Sequence, residues 1–289
     1  MLMEIKSLVH TDFDTLFNAF EQAFAEYELQ LNSAQLAKML QRRGFDPRLS
    51  FAAFDRGRIA AFTLNGIGSH NGLRTAYDTG TGTLKEYRGK GLATEIFNHS
   101  IPRLKAAGIE QYLLEVLQHN TTAVSVYRNL GFEVTREFNY SVARKDEIDI
   151  RTAKPAPACS IRRITPGEYG AIYGFQDFQP SWQNSPESLR RASGELAARS
   201  AFLADRLIGG CILEPASGDI PLLAVDKDYR RRGVGSLLLR QAVGLVEADI
   251  IKVTNTDTAC EAVTRFLKAQ NIPIRGKQFE MIRKFNKIL

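Results

Sequence analysis

Residues 86–97 read EYRGKGLATEIF, and residues 228–239 read DYRRRGVGSLLL. Each sets a glycine-bearing, cation-rich turn in front of a run whose apolar residues recur at helical spacing. The first backbone N–H groups of a helix lack internal partners and carry partial positive charge, so an anion is stabilised there. Gly89 and Gly91 permit positive φ and close approach of a ligand, while Arg88 and Lys90 add formal charge. A pyrophosphate suits such a turn. No Gly-x-x-x-x-Gly-Lys-Ser/Thr string and no Gly-x-Gly-x-x-Gly fingerprint in a first strand–helix turn is present. The Gly-x-Gly within TGTGT (79–83) falls in a strand and reads as a bulge or a close backbone approach.

Working outward, the same order of elements reads twice. The first pass predicts a strand at 3–9, helices at 12–25 and 33–43, and strands at 50–55, 58–66 and 74–84. A helix at 91–107, a strand at 110–118, a helix at 121–130 and a strand at 132–144 complete it. The second predicts a strand at 160–164, helices at 166–177 and 186–198, and strands at 200–205, 207–213 and 219–226. It closes with a helix at 233–247, a strand at 249–254, a helix at 258–270 and a strand at 272–284. KEYRGKG (85–91) and KDYRRRG (227–233) superpose without a gap. Between the copies, IRTAKPAPACS (150–160) reads as a linker, since its prolines continue neither a helix nor an inner strand. We therefore expect domains at 1–148 and 159–289 joined by a linker at 149–158. Each is an α/β (α+β) unit with a mixed, largely antiparallel sheet flanked by helices. Pro102 predicts a kink or an early end to its helix.

The bulk numbers agree with two domains: 289 residues, 44% apolar and 24% charged. No apolar run suits a bilayer span, and the start, MLMEIKSLVH, lacks a signal-peptide pattern. Three cysteines, far apart and odd in number, suggest neither a disulfide framework nor a zinc site, so a cytoplasmic protein is expected. The four histidines show no ligand spacing, which predicts no metal. The net charge of +6 divides into −1 for residues 1–150 and +7 for the remainder. Without aromatic interleaving or a basic helix, that excess reads as solvated surface and a phosphorylated cofactor rather than nucleic acid.

Each half resembles a GNAT-superfamily domain, the fold of acetyl-CoA-dependent N-acetyltransferases. The motif Arg/Gln-x-x-Gly-x-Gly/Ala is matched by Arg88, Gly89, Lys90, Gly91, Leu92 and Ala93. Its second copy runs through Arg230, Arg231, Arg232, Gly233, Val234 and Gly235. The resemblance implies that backbone groups from Gly89 to Thr94 hold the coenzyme A diphosphate. It also implies that Thr81, Gly82 and Thr83 pair with the pantetheine arm. A possible second cofactor site comprises Leu223, Ala224, Val225, and Arg231 to Ser236.

Amide formation from a thioester requires that the amine lose a proton and that the departing thiolate gain one. LLEVLQHNTTAVSVYRNLGF (113–132) offers the groups. Glu115 stands alone among apolar strand residues; it reads either as a poorly solvated proton acceptor or as a carboxylate bonded to nearby backbone. Asn120 reads as a helix cap, and Tyr127 falls on a core face with Ala123 and Leu130. The family pattern Asn-x-x-Ala-x-x-x-Tyr is matched by Asn120, Ala123 and Tyr127. That match implies cofactor contact for Asn120 and protonation of the sulfur by Tyr127, with Glu115 as the base of some members. In the second half Lys252, Ala259 and Phe266 stand at the corresponding positions, so catalysis is assigned to the first. The resemblance implies an amine acceptor, and the family's tandem members favour a small molecule over protein or peptide. Glu21, Glu26 and Glu28 read as solvent-facing helix carboxylates or as groups that attract a cationic amine. The alternative is a non-catalytic acyl-CoA sensor or interaction module on the same scaffold.

Overall fold

The computed structural model describes residues 3–27, 30–150 and 158–285. Residues 151–157 of the expected linker, and Glu28, lie outside that set. The chain packs as two compact units: unit 1 holds residues 1–135 and 280–289, and unit 2 holds 136–279. Among the described residues no helix is long and apolar enough to cross a membrane.

Unit 1 runs β1 (Glu4–Ser7), α1 (Phe13–Phe24), α2 (Ser33–Arg43), β2 (Phe51–Asp55), β3 (Arg58–His70) and β4 (Leu73–Thr83). It continues through α3 (Leu92–Ala106), β5 (Gln111–Leu117), α4 (Thr121–Asn129) and the start of β6 (Glu133–Arg144). The helix ends follow from local chemistry. Asp12 accepts the Thr15 N–H at 2.8 Å to open α1, and Asn32 and Gln35 form a reciprocal capping box on α2. Gly44 closes α2 in the left-handed region at φ +78°. Pro102 does not end α3, which continues to Ala106; the carbonyl that Pro102 leaves unpaired belongs to exposed Asn98, where water reaches it.

Strands β1 to β4 pair antiparallel in order, and β4 runs parallel to β5. Apolar side chains cover both faces. Leu36, Leu40, Phe62 and Leu64 are buried with α1 and α2, while Ile96, Phe97, Tyr112 and Phe132 are buried with α3 and α4.

Unit 2 repeats the order. It contains β7 (Ser160–Arg163), α5 (Tyr169–Tyr173), α6 (Pro186–Arg191), β8 (Ala197–Leu203), β9 (Arg206–Glu214) and β10 (Asp219–Val225). Next come α7 (Val234–Leu245), β11 (Ile250–Asp257), α8 (Glu261–Ala269) and β12 (Ile274–Lys284). Two helices are shorter than the spacing predicted. Gly170 and Gly174 weaken the first and Pro180 blocks its extension, while Ser193 and Gly194 end the second.

The last strands are exchanged. Residues 138–144 of β6 pair antiparallel with β11 in unit 2. The end of β12 lies beside β5 in unit 1, where Phe285 N–H donates to Glu110 O at 2.8 Å. There, too, Thr135 Oγ1 donates to Glu280 Oε1 at 2.9 Å. Contiguous domains at 1–148 and 159–289 keep each terminal strand with its own half, whereas the packing divides the chain within β6 and β12.

Candidate active site

In unit 1 the site forms where two parallel strands part. Pairing of β4 with β5 ends at Tyr77 and Leu113, and a bulge interrupts β4 between Asp78 and Gly80. Beyond it, Thr81 to Thr83 run toward the glycine turn. Gly82 has a packing reason for being glycine: a Cβ there would stand 2.6 Å from Phe62 Cζ and 2.9 Å from Ala23 Cβ.

After a 3₁₀ turn (Lys85–Tyr87), Arg88 is extended, Gly89 has φ +75° and Gly91 caps α3 at φ +78°. A Cβ on Gly89 or Gly91 would meet nothing within 4 Å, so conformation alone calls for glycine. No side chain caps α3, which leaves its first N–H groups to a ligand. Arg88 is already engaged: its guanidinium donates to Thr83 O at 3.3 Å, Glu26 Oε2 at 2.5 Å and Ala23 O at 3.0 Å. It thereby ties the end of α1 to the end of β4. Lys90 is exposed, with Nζ 4.9 Å from the centre of the Tyr87 ring.

The same clamp recurs in unit 2. Arg230 donates to Val225 O at 2.9 Å, Asp177 Oδ2 at 2.6 Å and Phe175 O at 3.0 Å. Arg231 stands at φ +60° where Gly89 is in the first copy, and Gly233 caps α7 at φ +81°.

Tyr127 projects from α4 into an aromatic group, its ring edge-on to Phe97 and Phe132 at 5.8 Å each. Its hydroxyl donates to Asp78 Oδ2 at 3.2 Å, and Thr81 Oγ1 donates to the same oxygen at 2.9 Å. Burial pushes the Asp78 carboxyl up to about 6 against the pull of hydrogen bonds from Thr81, Tyr127 and the Gly80 N–H. Burial first, then the charge of Asp78, holds the Tyr127 phenol well above its ordinary range. Asn120 caps α4, accepting Ala123 N–H at 3.2 Å, as the capping reading expects. Glu115 and Tyr77, from β5 and β4, share a hydrogen bond, so that carboxylate meets a side chain as well as a strand. The hydrogen bonds thus bring together Asp78, Thr81 and Tyr127, with Glu115 on the neighbouring strand and Asn120 at the cap of α4.

Asp78 is the residue that sequence reasoning passed over. It is the one carboxylate of β4, but the polar Thr79 and Thr81 beyond it and Arg74 in the same strand give it a weaker signal than that of Glu115 among apolar neighbours. A cleft of about 290 Å³ opens between α1 and α2, with Phe20, Phe24 and Leu31 among its apolar lining and Glu21, Asn32 and Gln35 among its polar. Phe24 meets Tyr27 edge-on at 5.0 Å, and the Tyr27 phenol is near enough to act on that of Tyr127. Glu26 is taken up by Lys85 and Arg88, which hold its carboxyl down at about 2.

In unit 2, β10 and β11 pair at Asp219 and Lys252. Past that point a 3₁₀ turn (Trp182–Asn184) lies against β10. Its Asn184 Nδ2 donates to Thr254 O of β11 at 3.1 Å, and Asn255 Nδ2 donates to Ser181 Oγ at 2.9 Å. Phe266 packs into the core of the unit, close to Gly235.

A strand pair that parts beside a glycine turn opening a helix is thus present twice in the chain. The family model described as "Acetyltransferase (GNAT) family" matches residues 13–132, and that described as "Acetyltransferase (GNAT) domain" matches 197–270. The chain belongs to the GNAT acetyltransferase family. It is 29% identical over 112 residues to the N-alpha-acetyltransferase MAK3 of Arabidopsis thaliana, a match covering 38% of this chain and 59% of that protein. It is 33% identical over 122 residues to the mycothiol acetyltransferase of Thermobifida fusca, covering 39% of this chain and 38% of the relative. These matches span roughly two-fifths to three-fifths of the relatives' length. Among solved structures, a tandem GNAT protein from the clavulanic acid biosynthesis pathway matches with a TM-score of 0.72 at 14% identity, over 98% of both chains. A GCN5-related N-acetyltransferase from Sphaerobacter thermophilus matches at 0.71 and 13%, over 98% of this chain and 95% of that one. Both likenesses concern the fold.

Proposed function

We propose that the protein is an acetyl-CoA-dependent N-acetyltransferase whose chemistry belongs to unit 1 and whose acceptor is a small-molecule amine. The observation that carries this reading is the meeting of the Tyr127 hydroxyl with the splay of β4 and β5, one strand-length from an uncapped glycine turn. Two open glycines at positive φ and the unpartnered start of α3 suit a diphosphate, which the N–H groups from Gly89 to Thr94 would hold. Thr81 to Thr83 would align the pantetheine arm. When bound, acetyl-CoA supplies the acetyl thioester.

The chain's own groups supply the rest. Glu115 takes a proton from the acceptor ammonium, and Tyr127 gives its phenolic proton to the leaving sulfur. The cleft between α1 and α2 takes the body of the acceptor: its mixed lining of Phe20, Phe24 and Leu31 with the Glu21 carboxylate suits a compact cationic amine. Unit 2 keeps the turn and the clamp, yet its splay is closed by Trp182–Asn184 and Phe266 has no proton to give. We read it as non-catalytic. Replacing Tyr127 by Phe is expected to lower turnover on the order of 10²–10⁴-fold with acetyl-CoA affinity nearly intact, measured by release of free thiol over an amine panel. Unchanged turnover would remove Tyr127 from the chemistry.

A further inference from the structure

We infer that Asp78 is a positioning residue, holding the Tyr127 hydroxyl fixed and protonated at the splay. This rests on the proposed role of Tyr127 and extends it to a residue outside the family motif.

Three observations converge. Asp78 is only 7% exposed, at the last paired position of β4 before the bulge, and the phenol of Tyr127 reaches its Oδ2 from α4. Thr81 Oγ1 binds the same Oδ2 and lies 3.2 Å from Thr63 Oγ1, so the carboxylate is anchored from its own strand and from β3. Its other oxygen, Oδ1, is buried without a hydrogen-bond partner. The bonded oxygen, Oδ2, thus receives the Tyr127 hydroxyl beside that of Thr81, at the point where β4 leaves β5.

A carboxylate beside the phenol disfavours phenolate, so Tyr127 begins each turnover with its proton. In the transfer that proton leaves Tyr127 Oη for the sulfur. The acceptor ammonium releases its own protons to base and solvent, from which Tyr127 is reprotonated, and Asp78 is unchanged. The groups facing Asp78 are Arg43 from α2, Tyr77 beside it in β4, Tyr112 from β5 and Tyr127 from α4, with Glu115 reached through Tyr77.

A double-mutant cycle tests this in the full-length chain. Asp78→Asn should lower kcat at least tenfold at nearly constant KM for acetyl-CoA. It should also abolish an acid limb of kcat near pH 6, and it should add nothing in a Tyr127→Phe background. Losses that multiply in the double variant, or an unaltered kcat, would overturn the proposal. Full turnover of Tyr127→Phe alone would instead sink the proposed function. Should Asp78→Asn fail to fold by circular dichroism, Asp78→Ser takes its place in the cycle. If neither folds, a wild-type kcat with no limb between pH 5 and 7 counts against the role, and a limb there supports it.

Discussion

Asp78 also makes a prediction about stability. Its folded carboxyl sits at about 6 against an ordinary 3.8, so the native state keeps this proton longer than the unfolded chain. The contribution of Asp78 to stability is therefore full below about pH 4 and declines as pH rises through 6. Asp78→Asn should raise stability at pH 8 by up to roughly 3 kcal/mol and give no such gain at pH 4, measured by urea unfolding at the two pH values. A loss at pH 8 would show that the charge is well accommodated. Gly82→Ala should cost about 1–3 kcal/mol, because the new methyl group runs into Phe62 and Ala23. Thermal unfolding checks it, and a neutral outcome would mean that α1 yields easily. At this scale the sequence was partly legible. Asn120 reads from local pattern as a helix cap and does cap α4, whereas Tyr127 is singled out by the resemblance to the family pattern rather than by spacing alone. The close approach of Phe62 and Ala23 to Gly82 is long-range, so local pattern names neither partner. The pairing of Asp78 with Tyr127 joins residues 49 apart, so no local pattern reports it.

At the scale of elements, the first position of the turn motif acts as a clamp. Arg88 and Arg230 bind a strand-end carbonyl, an acidic side chain and a carbonyl near the end of the preceding helical segment, in the same arrangement. Arg88→Ala should loosen the turn, raising KM for acetyl-CoA severalfold while costing about 1 kcal/mol, since the guanidinium is part-exposed. Arg230→Ala should show a similar loss of stability with kinetics unaltered. Equal kinetic effects would mean that the second turn also serves the reaction. Elements whose caps lie within a few residues, such as α2 with its Asn32–Gln35 box and Gly44, were readable almost to the residue. The helices of unit 2 were overextended because apolar periodicity continues past glycines that the local backbone does not carry as helix.

For the whole molecule, duplication was visible from the two turns, while the exchange of terminal strands was not. EVTREFNYSVARK and IPIRGKQFEMIRK both read as strands, and nothing in their patterns names a partner sheet. The packing gives the C-terminal residues a structural role in unit 1, because 280–285 border β5, the strand that carries Glu115. Deleting 280–289 should open that edge and cost unit 1 its cooperative unfolding and its acetyl-CoA binding together. A truncated chain that binds as well as the full one would contradict this.

The most direct test of the whole account is calorimetric titration of the full-length protein with acetyl-CoA, followed by a structure of the complex. We predict one equivalent bound per chain, its diphosphate on the N–H groups from Gly89 to Thr94 and its sulfur beside Tyr127. No binding at millimolar cofactor, or occupancy of the Arg231–Ser236 turn alone, would contradict it.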